Sequence, residues 1–172
     1  MDKDKSQIAD DLQRSFLEVF EYCTNLTEEN YWEEKEDRWS IAENINHLIL
    51  STSPLVQGLN LPKLVIATVG GKQSGKSRNY DELVSAYKQK LDEGGKATSR
   101  YVPKKSKKHP MSSSLAKFDS NGKGLVKALN KWTEEQLDAY RMPHPLLGKI
   151  SVREMLYFSI YHNYHHLEAI KK

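Results

Sequence analysis

Cysteine is almost absent from this chain: Cys23 is the only one in 172 residues, which excludes an internal disulfide and a cysteine-rich zinc site. It falls in step with Ile8, Leu12, Phe16 and Val19, so a buried structural thiol is expected there, not a nucleophile. Long apolar runs are missing too, none approaching the ~18 residues of a membrane span. The opening Met1-Asp2-Lys3-Asp4-Lys5 is charged where a signal peptide would be apolar, and a cytoplasmic location is expected. Neither sign of charge dominates, with 26 Lys and Arg against 23 Asp and Glu, so a nucleic-acid partner is implied only if the charge is concentrated somewhere. There is no internal repeat and no strand-rich region. The length suits one domain spanning 1–172 with room for a substantial core.

What is present is mostly helical spacing. Ile8, Leu12, Phe16, Val19, Phe20 and Cys23 recur at intervals of three and four and predict an amphipathic helix over Ser6–Cys23. Thr27–Asn30 reads as a turn or short helix. Ser40-Ile41-Ala42-Glu43 matches a capping box, so a second helix starts at Ser40, and Pro54 is expected to kink or end it. Leu64–Val69 looks like a short strand, though one without a partner. Asp81–Leu91 is helical again, stopping at Gly94-Gly95. Residues 96–114 concentrate Lys and Arg and read as a long mobile loop, either a lid or a disordered insert. Leu115, Phe118, Leu125, Leu129 and Trp132 predict a further helix that Asn121-Gly122 would break or begin. Thr133–Gln136 and Ser151–Glu154 are two more capping boxes, the second opening a last helix through Ile170. Between them, Pro143-His144-Pro145 forces extended backbone and Gly148 a turn. The fold class expected is all-α, a four-helix bundle with long inter-helix connections.

The last helix carries the chemistry. His162 and His166 are four residues apart and in step with Met155, Phe158 and Ile170, so both imidazoles face inward on one side of the helix. Buried neutral imidazoles need partners, and a shared divalent metal provides one. The alternative is a pair of core histidines bonded to backbone or water. His165 falls to the side of that face. His47 is the candidate third ligand, although it sits off the main stripe of its helix with Asn44, Leu50 and Pro54. Glu43, one turn earlier, is accounted for by its cap, and His144 reads as a loop histidine that could approach the site.

Three separated motifs, Trp39–Leu48, Pro143–Leu156 and His162–Ile170, resemble the DinB/YfiT-like superfamily. The resemblance implies a four-helix bundle holding one divalent metal, zinc or nickel, on His47, His162 and His166. It implies metal-dependent hydrolases or thiol-dependent S-transferases, acting on a small-molecule substrate with water or a low-molecular-weight thiol, and possible homodimers. Such an ion would bring the pKa of water or a thiol toward neutrality. The family's frequent His-His-x-Gly-Gln ending is replaced here by His165-His166-Leu167-Glu168-Ala169. The alternative function is a non-catalytic stress-response or binding protein whose metal is structural or absent.

Two decoys remain. Gly70–Ser77 is a literal G-x-x-x-x-G-K-S phosphate-loop match, but no second strand exists to complete a nucleotide site, and a flexible inter-helix loop is expected instead. The basic run near Lys104–His109 could hold an anionic substrate, a thiol cofactor's carboxylates or nucleic acid. With only Tyr101 to stack on, a solvated loop without nucleic acid is expected.

Overall fold

The computed structural model describes residues 3–104 and 109–172. Four long helices, α1 (Lys5–Thr24), α3 (Ile41–Leu59), α6 (Met111–Leu129) and α8 (Val152–Ile170), make the bundle. The helix α2 (Glu28–Trp32) and the helices α4 (Lys63–Gly70), α5 (Tyr80–Asp92) and α7 (Glu134–Ala139) occupy the connections. The strands β1 (Arg141–His144) and β2 (Gly148–Ser151) form an antiparallel hairpin pairing Met142 with Ile150. The fold is all-α, as expected.

Helices α1 and α3 each pack against both α6 and α8, which sets α1 and α3 on opposite corners of the bundle. Each long helix turns an apolar stripe inward, as amphipathic spacing requires. Ile8, Leu12 and Val19 from α1, Ile45 and Leu48 from α3, Phe118 and Leu125 from α6, and Leu156 and Ile160 from α8 are essentially sealed from solvent. Helix α5 covers another side of α8, which is why α8 buries residues around most of its circumference.

The capping boxes expected at Ser40, Thr133 and Ser151 all form. The last is tied in further. Glu154 also accepts from the Arg78 backbone N–H and Nε, and Arg153 donates to Asp138, Glu134 and the Lys3 carbonyl. These bonds fix where α8 begins and so where His162 and His166 stand along it.

Four local expectations are corrected. Leu64–Val69 is not a strand but most of α4: with no strand to bond to, the segment satisfies its backbone internally as a helix. Helix α3 does not end at Pro54 but runs on to Leu59, because burial of Leu55, Gly58 and Leu59 outweighs the hydrogen bond that proline forfeits. Asn121-Gly122 does not break α6. Gly122 lies against the Phe16 ring, where a Cβ would come within 2.7 Å of Cγ, and Asn121 donates to Ser53 Oγ. The basic segment ends at Pro110, since Met111 starts α6; Lys105, Lys107 and Lys108 lie outside the described residues.

The phosphate-loop match also has a packing explanation. A helix, not a strand, precedes it, Lys72 bridges to Tyr140, and Ser77 is hydrogen-bonded to Asp138 and Ser151. Gly70 allows α4 to touch β1: a Cβ there would sit 1.6 Å from the Arg141 carbonyl oxygen, whereas one on Gly75 would meet nothing within 4 Å. Gly70→Ala is therefore expected to lower stability in urea unfolding by about 1–3 kcal/mol, and Gly75→Ala to stay within about 0.5 kcal/mol. Equal effects would contradict this packing role.

Candidate metal centre

Helices α3 and α8 bring His47, His162 and His166 into one cluster. The three side chains are 6%, 5% and 7% exposed. His162 and His166 meet because four residues make about one helical turn. The position of His47 corrects its reading from periodicity: α3 packs against α8 as well as α6, so a second face carrying Asn44 and His47 is buried beside the Ile45–Leu48 stripe.

The ring orientations are set by bonds on the far sides of the rings. His47 Nδ1 lies 2.7 Å from the Tyr101 carbonyl oxygen, which can only accept, so Nδ1 carries the proton and Nε2 a lone pair. His166 Nδ1 lies 2.7 Å from Asn44 Oδ1. The Asn44 amide cannot be turned round, because its Nδ2 donates to the carbonyls of Trp39 and Ser40. Oδ1 therefore accepts from His166, whose Nε2 is also left with a lone pair.

His162 Nε2 stands 3.1 Å from both of these nitrogens. One proton on His162 can satisfy one of them and leaves the other lone pair facing nitrogen. A divalent cation accepts all three, and zinc–nitrogen bonds of about 2.0–2.1 Å would separate tetrahedral ligand nitrogens by about 3.3 Å. The cluster therefore fits an ion of this class with little rearrangement. Trp39 shields it, its ring stacked at 9° to His166 and tilted against His47.

The other candidates separate cleanly. His165 is half-buried, packs on Tyr161 and His166, and does not join the cluster. The Glu43 carboxylate accepts from the Ser40 N–H and hydroxyl and serves the cap. Burial pushes the Cys23 thiol up to about 12, so it stays protonated and inert.

Beside the histidines lies a cavity of about 260 Å³, reached by His47 and His162 and walled by Leu55, Tyr87, Met142 and Phe158. His144 also lines it and is only 6% exposed. Its ring packs edge-on against Phe158, which in turn stacks on His162. Sequence reasoning did not single out Asn44, Trp39 or Tyr101 as supports of the site. A polar Asn three residues before His47 on one helix flank was a usable signal for the first, but a backbone carbonyl from a distant loop leaves none.

Burial keeps these imidazoles neutral. Desolvation, reinforced by the neighbouring histidines, holds His162 and His166 well below 6.5. Desolvation, with the Arg78 charge, brings His144 down to about 4. On unfolding they regain an ordinary affinity for protons, so the unfolded chain binds more protons below about pH 6.5. Stability is full above that pH and falls as the pH drops toward the folded values. The metal-free protein is expected to lose thermal stability steadily from about pH 7 to about pH 5, the range in which histidine titrates when unfolded. A flat profile would contradict neutral burial.

The chain matches the family model described as the DinB superfamily over residues 9–170. A search of curated proteins returns no match. Among the described residues, no helix is long and apolar enough to cross a membrane.

Proposed function

This chain belongs to the DinB superfamily, and we propose that it is a metal-dependent enzyme in which His47, His162 and His166 hold one divalent ion, zinc or nickel. The observation that carries this reading is the convergence of three Nε2 atoms, two with protons fixed on the opposite nitrogen, beside a cavity large enough for a small molecule. When bound, the ion supplies the Lewis acidity that makes water or a low-molecular-weight thiol nucleophilic near neutral pH. Hydrolysis and S-transfer are the reaction classes this chemistry suits.

The chain's own residues do the rest. The Tyr101 carbonyl and Asn44 Oδ1 hold the imidazoles in the tautomer that presents Nε2, the role that outer partners play at histidine metal sites. Trp39 and Phe158 cover the rings and limit water on their flanks. The cavity wall from Leu55 to Met142 takes the apolar part of a substrate and sets it against the His47–His162 edge. No described carboxylate lines this cavity, so the proton released when water or a thiol ionises at the site would pass to solvent or buffer.

Two measurements test the reading. Elemental analysis of the purified protein is expected to give about one divalent ion per chain, lost in His47→Ala and in His166→Ala, with Asn44→Ala weakening affinity by about 10–100-fold. Unchanged stoichiometry in both histidine variants would overturn the ligand assignment. Turnover of monobromobimane with small thiols, or of para-nitrophenyl acetate with water, is expected to fall at least about 100-fold on chelation and return with zinc or nickel. Turnover indifferent to chelation would leave the metal without a catalytic role.

A further inference from the structure

A second, smaller hollow adjoins the cavity. It lies where the end of α3, α4 and β1 come together, holds about 70 Å³, and is lined by residues that include Gly58, Leu61, Val65 and Ile66. Val69, Met142 and Pro143 line both spaces, so the two abut at a seam between α4 and β1. Their chemistry differs. The cavity has polar side chains in its wall at Ser51, Tyr87 and Tyr101 as well as His47 and His162, whereas no polar atom opens into the hollow. Arg141 contributes only its aliphatic stem there.

The shape of the hollow favours a chain over a ring. Val65 and Val69 stand one turn apart on α4, and Leu61 continues the row just before the helix. Gly58 supplies no side chain, and a Cβ there would come within 2.5 Å of Met142 Cε. A cavity of about 150 Å³ admits benzene, so the hollow, at about 70 Å³, is too small for an aromatic ring and suits roughly three carbons of a chain. The seam can also yield, because Met142 is unbranched and repacks readily. Leu61, Leu64, Val65 and Val69 are all exposed, a concentration of aliphatic surface that marks an interaction site. Continuity with the cavity indicates what occupies its grooved part.

We propose that this hollow is the tail subsite of the candidate active site, holding the end of an unbranched aliphatic chain whose polar, reacting end lies in the cavity against His47 and His162. The chain crosses the seam at Val69, Met142 and Pro143. This rests on the reading of the cavity as the substrate site and adds its substrate class: amphiphiles with a straight acyl or alkyl chain.

The test uses butanoate, hexanoate and octanoate as probes, with calorimetry on the zinc-loaded and the chelator-treated protein. Affinity is expected to rise at least about 2-fold per added methylene in both forms, below the roughly 4-fold of complete burial. Val65→Asp places a charge in the hollow and is expected to weaken octanoate at least about 5-fold while leaving butanoate within about 2-fold. Leu64→Asp, beside the hollow but outside its lining, should keep the dependence on chain length. In the unsubstituted protein, octanoate should shift the methyl resonances of Leu61 and Val65 and butanoate should not, a readout that needs no variant to fold. Chain-length dependence in a protein that retains no zinc would uphold this proposal while removing the metal reading. Affinity flat with chain length, or unmoved Leu61 and Val65 resonances, would overturn it even where His47, His162 and His166 hold the ion. A dimer in sedimentation that Leu64→Asp dissociates, with loss of the chain-length dependence, would assign this face to a second copy of the chain and overturn it as well.

Discussion

The hydrogen bond from His166 Nδ1 to Asn44 Oδ1 ties α8 to α3 and fixes which nitrogen faces the cluster. Asn44 holds its orientation because its own amide hydrogens are committed to the last carbonyls before α3. The same backbone carries the Ser40–Glu43 capping box, so the start of α3 and the tautomer of His166 are settled together. Through Tyr101, the connection between α5 and α6 does the corresponding work for His47. The cluster is thus held from two helices and one loop, and its open side faces the cavity.

Such an arrangement is unfavourable for a core without a ligand. Leaving a buried polar group unsatisfied costs about 1–3 kcal/mol, and here two Nε2 lone pairs compete for the one hydrogen that His162 can offer. The bundle tolerates this because its apolar core, from Ile8 and Leu12 to Leu129 and Trp132, is extensive and sealed. A divalent ion at the cluster would remove the conflict and contribute binding free energy to folding, since a preformed site does not exist in the unfolded chain. Stability and chemistry would then depend on the same three nitrogens.

Much of this was legible in the sequence, for reasons that differ by residue. His162 and His166 were visible because they share the periodicity of Met155 and Ile170, and α8 obeys that periodicity. His47 was a candidate ligand whose link to the pair rested more on family resemblance than on periodicity: periodicity names one stripe per helix, whereas α3 buries two faces, one against α6 and one against α8. The helix at Lys63–Gly70 looked like a strand because a short apolar run has the same composition in either state, and only the absence of a pairing partner decides. Gly122 and Pro54 carried strong local signals that tertiary packing overrode. The roles of Asn44 and Tyr101 depend on contacts across 122 and 54 residues, which local pattern does not report.

The most direct measurement is X-ray absorption at the metal edge of the zinc- or nickel-loaded protein. Three imidazole nitrogens are expected at about 2.0–2.1 Å for zinc, with light-atom scatterers completing the shell and no sulfur from the protein. Fewer than three imidazoles, or a shell completed by a protein carboxylate, would contradict the convergence of His47, His162 and His166 on a single ion.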